Sequence, residues 1–190
     1  MSAERREPVL VIGLGRFGGS LARALERMGH EVLGVDANPD LVQEYAPLLS
    51  QTVEADATDV ECLRKLDGGA FRSAVVGIGT DIEASVLSVL ALVDLGIPNI
   101  WAKAINERHG RILERTGAHH VVYPESAMGE RVARLLNERL LDFIAFDDAF
   151  AIAKLRAPAG VVGLPLEMSK CRSRFEVTVI GVKRPGQDFI

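Results

Sequence analysis

Cysteine is scarce in this sequence of 190 residues, in which Cys62 and Cys171 are the only two thiols. So few cysteines in a chain of this length exclude a disulfide-stapled scaffold. No apolar run approaches the ~20 residues that a membrane-spanning helix needs. The first seven residues, MSAERRE, also lack the apolar segment of a signal peptide. The sequence therefore predicts a soluble, cytoplasmic protein with no direct membrane insertion.

Positive charge is also in short supply. The sequence carries 22 Lys and Arg against 26 Asp and Glu, for a formal net charge of -4. Nucleic-acid binding depends on clustered basic residues, so we expect no nucleic-acid partner. The hydrophobic fraction of 48% excludes an intrinsically disordered chain, because it is enough to form a core.

Short β-branched runs alternate with longer helical patterns along the first three quarters of the chain. This alternation predicts an α/β fold with a Rossmann-like, doubly wound parallel sheet of six strands. The predicted strands are 9–12, 32–35, 51–54, 74–77, 100–102 and 120–122. The predicted helix after the sixth strand, 125–141, has an apolar stripe of Met128, Val132, Leu136 and Leu140.

The pattern changes near residue 142. We predict a nucleotide-binding domain at 1–142 and a small, incomplete C-terminal α+β module at 143–190. Within the module we expect strands at 150–155, 161–162 and 175–180 and a short helix at 166–168. A segment of roughly 48 residues is short for an independent core.

A glycine motif follows the first predicted strand and begins the first predicted helix. Gly13, Gly15 and Gly18 form G-x-G-x-x-G in the stretch GLGRFG. Gly13 permits a tight turn, Gly15 lets a pyrophosphate approach the backbone, and Gly18 lets the helix pack closely on the strand. Free N–H groups at the start of the helix would hold the phosphates.

Asp36 ends the second predicted strand, 23 positions after Gly13. A carboxylate at this place accepts hydrogen bonds from both hydroxyls of an adenine ribose. It repels a 2′-phosphate, and Ala37 and Asn38 supply no Arg to compensate, so NADP is disfavoured. Arg16 lies inside the turn, where its guanidinium would reach a phosphate of this nucleotide or of one in a neighbouring subunit.

Further candidates follow the other strands, at the edge where such sheets bind ligands. We expect Asp56 and Ala57 to border the adenine, with Thr58 as a helix cap. The remaining candidates have different expected roles: Gly77, Ile78 and Gly79 pass over the nucleotide, Lys103 meets phosphate, Glu125 binds a cation or a phosphate-linked metal, and His109 approaches the ligand. Simpler roles stay open, namely capping for Thr58, a helix-dipole contact for Glu125 and a surface position for His109.

These motifs resemble the RCK (KTN, TrkA-N) domain of regulatory subunits of Trk/Ktr potassium uptake systems, particularly the KtrA type. The resemblance covers about residues 8–145, and the tail looks like the first part of the family's C-terminal domain. The matching stretches are VIGLGRFG (11–18), GVDAN (34–38), EADATD (54–59), IPNIWAKA (97–104) and VYPESAMG (122–129), with VGLPL (162–166) and VIGVKR (179–184) in the tail.

The resemblance implies a cytoplasmic gating ring, built from homodimers into an octamer, that docks on a membrane potassium transporter subunit. It also implies a crossover helix after the sixth strand and ATP or ADP in the Rossmann cleft, bound without turnover. The ligand phosphates would then contact Gly15, Arg16 and Phe17, with Leu14 in the same turn. The ribose would contact Asp36, and the adenine region Asp56 and Ala57.

Two alternatives share the fold. An NAD(H)-sensing Trk-type subunit would use the same Asp36, because NADH and ADP present the same adenosine diphosphate. An NAD-dependent oxidoreductase needs a proton donor over the nicotinamide. Neither Tyr45 nor Tyr123 has a Lys four residues later, which leaves His109 as the sole candidate donor. We therefore predict a protein that is not an enzyme and has no catalytic residues.

Overall fold

The computed structural model describes residues 6–136, 140–146, 150–184 and 186. It divides between residues 129 and 130 into two compact units. The predicted boundary at residue 142 stays a prediction. The elements of the first unit are β1 (Arg6–Ile12), α1 (Arg16–Arg27), β2 (His30–Asp36), α2 (Pro39–Tyr45), β3 (Gln51–Glu54), α3 (Val60–Lys65), β4 (Ser73–Val76), α4 (Ile82–Asp94), β5 (Asn99–Lys103), α5 (Glu107–Thr116) and β6 (His120–Val122), followed by the start of α6 (Pro124–Leu135).

The first unit is built on one parallel sheet of six strands in the order β3-β2-β1-β4-β5-β6. The strand order reverses at β1, which pairs with both β2 and β4. A doubly wound sheet has its ligand crevice at such a point, outside the carboxyl ends of the strands. The predicted fold class and the six predicted strands are confirmed.

Alternate residues of β1 supply two different cores, since successive side chains of a strand point to opposite faces. Leu10 and Ile12 belong to a buried cluster that includes Leu63 of α3, Leu92 of α4 and Leu113 of α5. Val9 and Val11 belong to the other cluster, with Ala22 of α1. Burial on both faces explains why the strand is a continuous apolar run.

Local signals explain most helix boundaries. The side chain of Asn38 accepts a hydrogen bond from the Asp40 N–H, and Pro39 occupies the first turn of α2. The prediction for the third helix is wrong at its cap. Asp59, and not Thr58, accepts the Glu61 N–H at the start of α3.

The second unit contains the end of α6, the antiparallel pair β7 (Leu140–Ala145) and β8 (Ala151–Leu155), and two short helices, α7 (Leu166–Ser169) and α8 (Cys171–Phe175). The predicted strand 150–155 and short helix 166–168 are confirmed. The predicted helix 125–141 is too long, because α6 ends at Leu135 and Leu140 begins a strand that pairs with β8. Residues 137–139 of that prediction lie outside the described residues.

Two further predicted strands of the second unit are wrong. Residues 159–161 form a short 3-10 helix, and Phe175 ends α8. Residues 177–180 have no regular secondary structure. Their β-branched composition fits a strand, but a strand needs a partner for its backbone groups, and the described part of the chain provides none.

Candidate functional site

Two of the three glycines in the turn between β1 and α1 are required by the backbone conformation and packing of the protein itself. Gly13 has a φ of 87°, a left-handed conformation that favours glycine, and its N–H donates to the Val35 carbonyl at 2.8 Å. A Cβ on Gly18 would overlap the carbonyl oxygen of Gly13. The turn and the helix therefore approach as closely as the sequence motif predicts.

Gly15 differs, because, apart from its neighbours in the chain, no atom of the described residues lies within 4 Å of the position that a Cβ would take. It is the N-cap of α1, without a side-chain cap, and the first helical turn contains no acidic residue. The first N–H groups of a helix attract anions when no side chain satisfies them. Open space, uncapped donors and the exposed Arg16 together fit a phosphate group.

Asp36, at the carboxyl end of β2, is bonded to this turn. Its Oδ2 accepts the Leu14 N–H at 2.6 Å, and its Oδ1 accepts the Asn38 N–H at 2.8 Å. These bonds place the carboxylate beside the glycine turn, as the spacing of 23 residues predicts. The side chain of Leu14 is fully buried in the core, so only its backbone belongs to the turn.

The loop after β3 is held by its own side chains. Oδ1 of Asp56 accepts the Thr58 N–H at 2.9 Å and the Thr58 hydroxyl at 2.7 Å. These hydrogen bonds lower the pKa of Asp56. Ala57 is buried in the core beside them, whereas Asp56 is exposed.

The loop after β4 touches the glycine turn directly. The Gly77 N–H donates to the Ile12 carbonyl at 2.7 Å, and a Cβ on Gly77 would lie 3.0 Å from both Gly13 O and Gly18 Cα. The side chain of Ile78 packs against the Gly13 position. The structure thus brings the predicted residues 77 and 78 together with the glycine turn.

Lys103 and Glu125 form an ion pair at the ends of the last two strands. The Lys103 Nζ lies 2.6 Å from the Glu125 Oε1 and 5.9 Å from the centre of the Phe17 ring. The bond from Lys103 is the main reason why the pKa of Glu125 is lowered, and the charge of Arg16 adds to it. A Cβ on Gly79 would lie 2.9 Å from the same Nζ.

His109 is a buried residue of α5. Its side chain is 1% exposed, and burial lowers the pKa of its imidazole, because desolvation disfavours the charged form. Nδ1 lies 3.5 Å from the Ile105 N–H, and Nε2 has no hydrogen-bond partner among the described residues. The alternative of a surface histidine is wrong.

A metal site made by this chain alone is not evident in the part that the structure describes. There, no three His, Cys, Asp or Glu side chains are grouped closely enough to hold an ion. Glu125 faces Lys103 instead, so a cation at Glu125 would need further ligands from a bound phosphate.

A contact between Tyr45 and Gly19 lies next to the glycine turn, and it was not predicted from the sequence. A Cβ on Gly19 would overlap the Tyr45 hydroxyl, so α2 packs on the first turns of α1 at this glycine. The Gly18-Gly19 doublet is the only signal of this contact in the sequence. Nothing in the sequence indicates that Tyr45 is the partner, because residues 19 and 45 are joined only by the fold.

Comparison with known proteins identifies relatives over most of the chain. The TrkA-N domain model matches residues 9–124. Ktr system potassium uptake protein A from Bacillus subtilis is 38% identical over 187 residues, covering 98% of this chain and 84% of that protein. The Vibrio alginolyticus protein of the same name is 35% identical over 176 residues, covering 92% of this chain and 80% of that protein.

Solved structures share the fold. The GsuK RCK domain superposes with a TM-score of 0.67 at 22% identity, covering 98% of this chain and 42% of that one. The TrkA-N domain of the Escherichia coli inner membrane protein ybaL gives 0.62 at 18% identity, covering 71% of this chain and all of that one. In the described residues, no helix has both the length and the apolar character needed to cross a bilayer.

Proposed function

This chain belongs to the TrkA-N domain family, and from that premise we propose that it is a regulatory subunit of a potassium uptake system. The names of the Ktr relatives, at 35% to 38% identity over most of both chains, support the assignment to potassium uptake. The proposed role is gating by a bound nucleotide, without bond-making on that nucleotide.

One observation carries the nucleotide proposal: the uncapped, open N-terminus of α1 at Gly15 lies beside a carboxylate that is bonded to the same turn. The turn fits a diphosphate and Asp36 fits a ribose. The ligand is ATP or ADP, with NAD or NADH as the alternative and a divalent cation at Glu125 as an accessory. All these ligands share adenosine diphosphate, so the cleft by itself favours none of them.

Each residue near the turn has a proposed part in binding. The N–H groups of Arg16 and Phe17 hold phosphate, the Arg16 guanidinium reaches a terminal phosphate, and Asp36 orients the ribose. Asp56 borders the adenine. When bound, the nucleotide supplies negative charge, and it shifts the conformation only by its difference in affinity for two states.

The proposed partners follow from the family. The chain forms homodimers that assemble into an octameric ring, and the ring docks on the cytoplasmic side of a membrane potassium transporter subunit. The domains proposed for these tasks are 1–142 for nucleotide binding and 143–190 as part of the C-terminal domain.

The buried position of His109 argues against the oxidoreductase alternative. This residue is the only candidate proton donor from the sequence, and its side chain is 1% exposed. A substrate in the cleft would not reach an imidazole that is enclosed by the core.

Thermal unfolding with ATP, ADP, NAD and NADH in parallel tests the nucleotide proposal. A ligand at about 100 times its Kd stabilises the folded state by about 2.7 kcal/mol. We expect ATP and ADP to raise the Tm clearly and NAD and NADH to raise it less. Stabilisation by NADH alone would support the NAD(H)-sensing alternative, and no shift with any of the four would contradict nucleotide gating.

We expect Arg16→Ala to reduce discrimination between ATP and ADP. One charge-assisted hydrogen bond to a terminal phosphate contributes about 1.5–3 kcal/mol, so the Kd for ATP should rise roughly tenfold or more. The Kd for ADP should change much less. Arg23→Ala is the matched control, because Arg23 is exposed on the same helix. Equal losses for both nucleotides in isothermal titration calorimetry would remove the role assigned to Arg16.

A further inference from the structure

The ammonium of Lys103 lies where three loops of the cleft meet. Lys103 ends β5, and its side chain is only 12% exposed. Its Nζ lies 5.9 Å from the centre of the Phe17 ring in the glycine turn. Gly79, in the loop after β4, leaves room for it, since a Cβ there would come within 2.9 Å of Nζ. A cation with so little exposure needs an anion near it.

Glu125 supplies that anion. Its Oε1 accepts from the Lys103 Nζ at 2.6 Å, and its own side chain is 66% exposed. Glu125 lies in the first turn of α6. With the nearby Arg16, the group contains two cations and one carboxylate. An additional anion would therefore be attracted to this group, and Glu125 would be the member that repels it.

We propose that, while no divalent cation links Glu125 to the nucleotide, Glu125 is an internal competitor for the phosphate of a bound nucleotide at Lys103. This inference rests on the proposed function, because it concerns the same cleft. A phosphate and the carboxylate cannot both approach one ammonium without repelling each other. When the phosphate takes Lys103, Glu125 turns toward solvent, which its exposure allows. The first turn of α6 then loses its bond to the end of β5.

In this competition, the nucleotide affinity is the difference between the free energy gained from the phosphate contact and the free energy lost with the Lys103–Glu125 pair. Each binding event must break the Lys103–Glu125 pair, so the protein binds more weakly than the cleft alone would. It also connects occupancy of the cleft to α6, because Glu125 is a residue of that helix. Removing the carboxylate charge should tighten binding, and removing the ammonium should weaken it.

Isothermal titration calorimetry with ADP in EDTA tests the competition. We expect Glu125→Gln to lower the Kd about 3- to 10-fold, the scale of one partly exposed charge pair. Lys103→Gln should raise the Kd about tenfold. In the double variant, Glu125→Gln should bring no gain, because there is no ammonium left to compete for. Glu114→Gln is the control for the change in net charge, since Glu114 is exposed near the far end of α5.

The outcomes separate this inference from the function on which it rests. Wild-type protein that binds none of the adenine nucleotides would overturn both. Wild-type binding with an unchanged or higher Kd for Glu125→Gln in EDTA would overturn the competition alone. A gain that persists in the Lys103→Gln background would also overturn it, since the effect would then be general electrostatics.

Hydrogen exchange gives a second measurement that does not depend on affinity. We expect saturating ADP to speed exchange in the first turn of α6, at 124–129, because the bond between Lys103 and Glu125 is lost. In Lys103→Gln the apo protein should already exchange at the faster rate. Slower exchange of this segment in the wild type on ADP binding would contradict the competition.

Discussion

Replacing Asp36 with alanine is expected to weaken ATP, ADP, NAD and NADH together, by about tenfold to a hundredfold. The carboxylate is proposed to accept both ribose hydroxyls, and hydrogen bonds to a charged group contribute about 1.5–3 kcal/mol each. The same change leaves the Leu14 and Asn38 N–H groups without the acceptors they have in the structure. The glycine turn should therefore lose order as well as a ligand contact.

Two further variants separate these effects. Asp36→Asn keeps one acceptor oxygen and the size of the side chain, so it can still accept from either the Leu14 or the Asn38 N–H. The turn should therefore lose less order than in Asp36→Ala, while the ribose contact is weakened. Asp40→Ala removes a carboxylate from the exposed first turn of α2 and should leave all four Kd values unchanged. Loss of NAD and NADH binding with intact ATP and ADP binding would contradict a shared ribose contact. The measurement is calorimetric titration of each ligand.

Alanine at Gly18 and at Gly15 should affect different properties of the protein. The Cβ of Gly18→Ala would overlap the Gly13 carbonyl oxygen, which is backbone and cannot move without shifting the turn. We expect a loss of about 3 kcal/mol in the free energy of unfolding, at the upper end of the usual range for overpacked core positions. Nucleotide binding should also be lost, because the phosphate donors belong to the same turn.

Gly15→Ala should instead keep the fold and weaken the nucleotide. Its φ of -63° suits alanine, and the added Cβ would make no contact within 4 Å with the part of the chain that the structure describes, its chain neighbours aside. The apo stability should change by less than about 1 kcal/mol, the usual range for an N-cap. The Kd for ADP should rise tenfold or more, because the methyl group would occupy the space through which a phosphate approaches.

Urea unfolding measures the expected loss of stability in Gly18→Ala, and ADP titration measures the expected loss of affinity in Gly15→Ala; both measurements are made on both variants. Gly69→Ala is the control, since its Cβ would make only an ordinary contact, 3.5 Å from the Leu95 carbonyl oxygen, and the residue lies in the short 3-10 helix Gly68–Ala70 that precedes β4, at the amino ends of the strands. Nearly unchanged stability in Gly18→Ala would show that the turn relaxes more easily than its packing indicates. Unchanged ADP binding in Gly15→Ala would contradict phosphate contact at that backbone.

The strands and the glycine turn could be predicted because their signals are local. Four buried apolar residues in β1, a glycine at the left-handed position 13 and Pro39 after Asn38 each act within a few residues of themselves. The second unit shows the limit of such signals. Residues 177–180 have a strand-like composition but no strand, and the predicted helix 125–141 includes Leu140, whose structure depends on pairing with Leu155.

The candidate site also contains features that local signals predict and features that they do not. The doubly wound sheet could be predicted from hydrophobic periodicity, and the glycine turn and the place of Asp36 from fixed spacing within the first βαβ unit. The Lys103–Glu125 pair, the contact of Tyr45 with Gly19 and the burial of His109 became visible only in the folded chain. Burial and charge pairing depend on which distant segments meet, and the spacing of residues along the chain does not contain that information.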